Sequence, residues 1–255
     1  MSRIVALVNA FPASPDVTPL RHAHRLRSLL PRSARERLYD WHPNRARRWK
    51  RHPGIERVAP AGHAVLTLDD GPDDDATVAV LDAMDAAAAR GTFFLVAEQL
   101  AAHPEIGREI VRRGHEVGLH GFRHQRHDRI EPEQSRADVL DGFEAVHAAL
   151  GVRPRWYRPP FGKMSDASMN ACSELSLTPV YWSAWGHDWE SVSAERIADL
   201  ACQQLDDGGI LLLHDSARYG RRASAIPTAE AIGRVADWAR DRGLTLTSLG
   251  ETAGS

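Results

Sequence analysis

The run Ala64-Val65-Leu66-Thr67-Leu68-Asp69-Asp70-Gly71-Pro72 decides the fold. A short apolar segment, too brief for a helix and bounded by Gly-Pro, reads as a buried strand. It ends in two adjacent carboxylates. Burying two acids at a strand end is costly unless a cation or a proton shares the site. The run therefore predicts both a parallel-sheet core and metal-assisted acid/base chemistry at its C-terminal edge.

Working outward, strand-like and helix-like stretches alternate from residue 62 onward. Strands are expected at Ala64–Leu68, Thr92–Val96, Glu116–Leu119, Arg155–Tyr157, Val180–Ser183, Ile210–Leu213 and Leu244–Thr247. Helices are expected at Thr77–Ala89, Pro104–Arg113, Pro132–Leu150, Asp166–Leu175, Ala194–Leu205 and Ala229–Arg240. Such alternation makes an α/β fold with a parallel sheet and outer helices. Seven strands are enough to curl into a distorted, incomplete (β/α)7 barrel, in which reactive groups gather at the C-terminal strand ends. The polar residues follow that rule: Asp69 and Asp70 end the first strand, His120 ends the third and Arg158 follows the fourth. Trp185 to Trp189 follow the fifth, and His214 ends the sixth.

His120-Gly121-Phe122-Arg123-His124 sets two imidazoles four residues apart. On one helical turn both rings would point the same way and could share an ion. One carboxylate and two imidazoles leave coordination positions open, as catalysis requires. The second carboxylate is then free to take a proton from water. Zn2+, Co2+, Ni2+ and Fe2+ all accept such ligands. Asp73-Asp74-Asp75 reads as a helix N-terminal cap run rather than a site.

The totals fit one soluble α/β domain with an extension. The 255 residues are 43% hydrophobic and 26% charged, with a net charge of −2. The charge is uneven: residues 21–57 carry +9 and the remainder −11. This divides the chain into a basic extension, 1–61, and a catalytic domain, 62–255. Short helices at 22–30 and 33–39 are expected in the extension. Its charge and its Trp41 and Trp49 suit either solvated packing or peripheral contact with a membrane surface. No nucleic-acid partner is expected, because no recognition motif accompanies the charge, and no obligate protein partner is inferred. No run approaches the roughly 18 apolar residues of a span, and the start is short for a signal-peptide core. Cytoplasmic placement, with peripheral contact at the inner membrane face, is the expectation. Cys172 and Cys202 read as small buried hydrophobes.

With its motifs assembled, the chain resembles the NodB-type polysaccharide deacetylases, carbohydrate esterase family 4, over roughly residues 62–250. Thr67-Leu68-Asp69-Asp70 is similar to that family's first motif, T-F-D-D, and His120 to His124 to its second, H-[ST]-x-x-H. Arg158-Pro159-Pro160-Phe161-Gly162 is similar to its third, R-x-P-[YF]-G. Asp188-Trp189 is similar to the end of its fourth, D-x-x-D-W, and Leu212-Leu213-His214 to its fifth, L-x-H. The resemblance implies Asp70, His120 and His124 as ligands of one divalent ion, taken as Zn2+. It implies Asp69 as general base, Arg158 as its orienting partner, and the Phe161 N–H as an oxyanion donor. His214 would be the general acid, with Asp188 keeping it protonated and Trp189 facing substrate. The implied activity is hydrolysis of an N-acetyl group from an amino sugar or N-acetylated glycoside, releasing acetate. Other readings are a deacetylase or deformylase of a lipid-linked or non-sugar N-acyl compound, and a non-catalytic sugar-binding module. Two positions depart from the pattern. Gly121 replaces the Ser or Thr of the second motif, which predicts a looser ligand loop. Trp185 stands where the fourth motif has its first Asp, which predicts an aromatic groove wall.

Overall fold

The computed structural model describes residues 52–252. The basic extension's expected helices, with Trp41 and Trp49, lie outside the described residues. The elements alternate as strand and helix. They are β1 (His63–Asp69), α1 (Thr77–Ala86), β2 (Thr92–Leu95), α2 (Ala97–Ala102), α3 (Pro104–Arg112), β3 (Glu116–Leu119), α4 (Pro132–Leu150), β4 (Trp156–Tyr157), α5 (Asp166–Glu174), β5 (Thr178–Pro179), β6 (Ala184–Trp185), α6 (Ala194–Gln204), β7 (Ile210–His214), α7 (Ile226–Arg240), β8 (Thr245–Thr247) and α8 (Leu249–Thr252).

The ladders are parallel in the order β5-β4-β3-β2-β1-β7-β6, with β8 also paired to β1. This is the incomplete barrel expected. One strand differs from expectation. Val180–Ser183 is not a strand; the chain there crosses from one edge of the sheet, β5, to the other, β6. A period-2 pattern cannot distinguish a ladder strand from an extended crossing that carries the same residues. The residues that precede β1 close part of the gap. Ile55 bridges Val180, and Arg57 bridges Gly209. The short α2 and α8 carry too few residues for a periodic signal.

Strand alternation separates two apolar layers. Ala64, Leu66 and Leu68 of β1 face the outer helices, in a large core with Leu81, Met84, Phe93, Phe143 and Ile232. Val65 faces inward with Phe94, Val180 and Ile210. Both faces are therefore buried, which is why the strands read as continuous apolar runs rather than alternating ones. The inward row of β1 continues through Thr67 to Asp69, so the same alternation that builds the core delivers Asp69 to the barrel mouth. Among the described residues, no helix is long and apolar enough to cross a membrane.

Candidate active site

Strict alternation would send Asp69 and Asp70 to opposite faces of the sheet. Asp70 avoids this by adopting a left-handed conformation, φ 83°, in a region that Asp tolerates better than most residues. Both carboxylates then approach one imidazole: His120 Nε2 lies 3.4 Å from Asp70 Oδ1 and 3.8 Å from Asp69 Oδ2. Asp70 and the next residue rest on a buried support. Asp215 lies beneath the turn, its carboxylate accepting from Gly71 N–H (3.1 Å) and Thr77 Oγ1 (2.8 Å). A side chain at Gly71 would overlap it, a Cβ falling 2.1 Å from Asp215 Oδ2. Burial pushes the Asp215 carboxyl up to about 7.

The ligand atoms of Asp70, His120 and His124 lie within 4.8 Å of one another. His120 Nδ1–H donates to the Arg158 carbonyl at 2.6 Å, which leaves the Nε2 lone pair facing Asp70. His124 Nε2 is 3.2 Å from the same oxygen, Asp70 Oδ1. That oxygen is buried and has no hydrogen-bond partner among the described residues. A buried carboxylate oxygen between two imidazole nitrogens, with the His120 Nε2 lone pair turned towards it, fits a divalent cation. Burial opposes ionisation of Asp70, but the neighbouring His124 and His120 outweigh it and hold the carboxyl well below its ordinary range.

The two imidazoles converge without the helical turn that a spacing of four would allow. Residues 121–126 form a loop, with Gly121 at φ 85°. Helix is excluded because Asp138 of α4 takes the loop's amides: Phe122 N–H and Arg123 N–H donate to its carboxylate at 3.1 and 2.8 Å. The His124 ring is oriented by stacking. Tyr219 lies nearly parallel to it, with centroids 4.2 Å apart, and Phe161 lies 4.4 Å away. Tyr219 is itself fixed, donating to Glu98 Oε1 and accepting from Gln99 Nε2.

Arg158 is completely buried in the barrel, between Phe94 (4.2 Å) and Trp182 (5.7 Å). It donates to Asp69 Oδ1 and Thr67 Oγ1, both at 2.7 Å, and to the Tyr181 carbonyl. Asp69 Oδ1 is thereby occupied and Oδ2 is the oxygen left towards the mouth. Beside this pair, His214 Nδ1–H donates to Asp188 Oδ1 at 2.8 Å. Asp188 Oδ2 also accepts from His214 N–H and Thr228 Oγ1. Burial opposes the imidazolium, but Asp188 overrides it and raises His214 to about 9. Trp189 sets its ring edgewise to His214 at 5.8 Å.

Phe161 has φ 59° and is 54% exposed at the mouth. The hydrogen bonds of its turn engage Gly162 and Lys163, which bond to Pro159 and Pro160. Three non-glycine residues with positive φ, Asp70, Phe161 and His187, sit on site loops, where such strain is commonly held for function.

All nine residues singled out from the sequence lie in this one region. Asp138, Asp215 and the position of Tyr219 against His124 were missed. Asp138 could have been found as an acid on the buried stripe of α4, with Ser135, Val139, Gly142 and Phe143. Asp73 to Asp75 do not cap α1, whose first turn begins at Ala76 without a side-chain cap. They tie loops together instead: Ser216 Oγ donates to Asp73 and Ser224 Oγ to Asp75. Of the tryptophans, Trp189 meets the acid and Trp182 covers Arg158. Trp185 belongs to β6, paired with Leu212.

Residues 56–180 match the polysaccharide deacetylase family. A chitooligosaccharide deacetylase of a Bradyrhizobium species is 32% identical over 160 residues, 62% of this chain and 73% of that protein. A peptidoglycan-N-acetylglucosamine deacetylase of Bacillus cereus is 27% identical over 191 residues, 74% of this chain and 68% of that protein. Among solved structures, a family 4 carbohydrate esterase from Streptomyces lividans in complex with acetate superposes with a TM-score of 0.66 at 28% identity. That match covers 74% of this chain and 93% of the esterase. With the fold, the ordered motifs and these relatives in agreement, the chain belongs to the polysaccharide deacetylase family, carbohydrate esterase family 4.

Proposed function

We propose that this protein is a metal-dependent N-deacetylase that hydrolyses the acetamide of an N-acetylated amino sugar to acetate and a free amine. The observation that carries the reading is the unbonded Asp70 oxygen between two imidazoles, flanked by a guanidinium-held carboxylate and a carboxylate-held imidazole. Asp70, His120 and His124 would hold the ion, which we take to be Zn2+. Bound there, it supplies Lewis acidity, polarising the acetyl oxygen and lowering the pKa of water.

The chain's own residues divide the proton work. Asp69 Oδ2 accepts the proton of the attacking water, while Arg158 keeps Oδ1 engaged and the carboxylate in place. The Phe161 N–H faces the oxygen on which charge develops. His214 donates a proton from Nε2 to the departing nitrogen, because Nδ1 is committed to Asp188. Trp189 and Phe161 supply apolar surface for the sugar ring. Relatives that act on chitooligosaccharide and on peptidoglycan N-acetylglucosamine support an N-acetylglucosamine-type substrate. The +9 charge of residues 21–57 favours a sugar carried on an anionic or membrane-bound group. Flotation of the full chain with anionic liposomes but not neutral ones is the expected result for that part.

The function is tested by acetate release from a panel of N-acetyl amino sugars, N-formyl sugars and simple N-acyl amines, with and without Zn2+, Co2+ and Ni2+. Metal-stimulated acetate release from an amino sugar, lost in Asp69→Asn and His214→Ala, is expected. Release from simple amides alone, or none with any metal while sugar still binds, overturns it.

A further inference from the structure

We propose that Asp138, a residue of α4 outside the family's motifs, is the positioning residue that sets the affinity of the metal centre, acting through the Gly121–His124 loop. The inference rests on the reading of Asp70, His120 and His124 as an ion site. The loop has little regular structure of its own, yet it must hold His124 within bonding range of an ion shared with His120. Asp138 is the anchor. Its Oδ1 accepts from Arg123 N–H (2.8 Å) and its Oδ2 from Phe122 N–H (3.1 Å). The Phe122 N–H also meets the Asp138 backbone carbonyl at 3.1 Å. The third donor is His127, whose Nε2 lies 3.1 Å from Oδ2. The His127 tautomer is fixed from behind, because Tyr157 Oη–H lies 3.1 Å from Nδ1. Burial raises the Tyr157 hydroxyl well above its ordinary range, so it remains a donor. Hydroxyl, imidazole, carboxylate and two loop amides thus form one chain with every donor matched to an acceptor.

The network explains Gly121. A Cβ there would lie 2.5 Å from Asp138 Oδ2 and 3.1 Å from the Arg123 carbonyl, in a left-handed conformation. The hydroxyl that the family's second motif supplies has no room, because the carboxylate already occupies its place. The loop is therefore not loosened by the glycine, as the sequence suggested, but fastened to α4 by a charged acceptor. Hydrogen bonds to a charged acceptor are about twice as strong as neutral ones. Outer-shell partners of this kind typically contribute 10- to 100-fold in metal affinity.

The test measures Zn2+ affinity of the full chain by chelator competition, alongside melting temperature and amide exchange of the metal-free protein. Wild type should take one ion, and Asp70→Asn none. Asp138→Ala should bind roughly 10- to 100-fold more weakly, exchange the Phe122 and Arg123 amides faster, and regain kcat in excess metal with KM unchanged. Should Asp138→Ala not fold, Asp138→Asn, which keeps the size and one acceptor, should bind about tenfold more weakly. Wild-type affinity in a folded Asp138 variant overturns the inference and leaves the ion site standing. A kcat deficit that excess metal does not restore also overturns it, since the role would then be general packing. No ion bound by wild type overturns the site reading and this inference together.

Discussion

Substituting Asp188 by Asn separates the charge that tunes His214 from the hydrogen bond that places it. In the folded protein burial works against the imidazolium. Asp188 works for it through contact at 2.8 Å, with smaller help from Asp70 and Asp69, and the balance is a pKa of about 9. A general acid acts only when protonated, so activity falls as pH rises through that value. At pH 8 a group of pKa 9 is roughly nine-tenths protonated. Asn retains an oxygen for Nδ1–H but no charge, so the largest support of the imidazolium is lost and the pKa falls back towards the ordinary 6.5. At pH 8 the protonated fraction is then about 3%, a loss of roughly 30-fold in kcat. At pH 6 the two proteins differ by less than about twofold. A bound cation beside Asp70 lowers the limb in both proteins and leaves their separation intact. The lost interaction corresponds to ~3.4 kcal/mol. The substitution also removes the charge facing Arg222 Nη1 at 3.6 Å, so a lower melting temperature is expected. The linkage has a definite sign. A raised folded pKa stabilises the native state fully below 6.5, and that stabilisation is lost as pH rises through 9. In Asp188→Asn this pH-dependent gain disappears. The assay is acetate release from pH 5 to 10, with the melting temperature followed at each pH. An alkaline limb at the same pH in both proteins would refute the reasoning, either because Asp188 is not the source of the shift or because His214 is not the acid.

Arg158→Met strands the buried Asp69, and should cost about 3–5 kcal/mol of stability and at least 100-fold in kcat while one ion still binds; loss of the ion would mean that Arg158 serves the metal instead. Tyr219→Leu removes the stacked face of His124, worth ~1 kcal/mol, so ion affinity measured by calorimetry should fall about fivefold; no change would show that the ring needs no clamp. His115 is buried near Phe93, neither ring nitrogen has a hydrogen-bond partner among the described residues, and burial lowers its pKa to about 4. Stability should therefore fall as pH drops from 6.5 through 4, by up to ~3 kcal/mol. His115→Leu should melt progressively higher than wild type across that range, and parallel melting curves would remove His115 as the cause.

The parts of the site legible in the sequence are those that one strand end announces. Asp69, Asp70, His120, Arg158 and His214 each close or follow an apolar run, so a barrel topology is enough to bring them together. The conformation between them was not legible. His120 and His124 at a spacing of four invite a helix, and nothing local forbids it. The acceptor that draws the loop amides away, Asp138, lies on another element. The same holds for Val180–Ser183, whose composition suits a strand but whose neighbours on both sides are already paired. Tyr219 follows the acid by only five residues, yet the partners that fix it, Glu98 and Gln99, lie about 120 positions away. Local chemistry was readable wherever the backbone alone fixed direction, and unreadable where a distant side chain decided it.

The buried acids themselves make the strongest argument for where the ion sits. Each buried carboxylate must be compensated, and among the described residues five are compensated inside the protein by different means, Asp73 by Ser216 Oγ and the Asp75 N–H. Asp69 has the Arg158 guanidinium. Asp188 has the His214 imidazole, with Arg222 and Thr228. Asp138 has two loop amides and His127. Asp215 has Thr77 and Gly71 N–H, and a pKa of about 7 that lets it carry a proton. Asp70 has the same burial, and its Oδ1 has no hydrogen-bond partner among the described residues. Its neighbours are two imidazoles, one of which has already given its Nδ1–H to a carbonyl. Protonating those imidazoles would place two cations around one acid in a site with ring centroids 5.2 Å apart. A single divalent ion satisfies all three groups at once, and among the six buried acids of the described residues Asp70 is the one set in such a donor group.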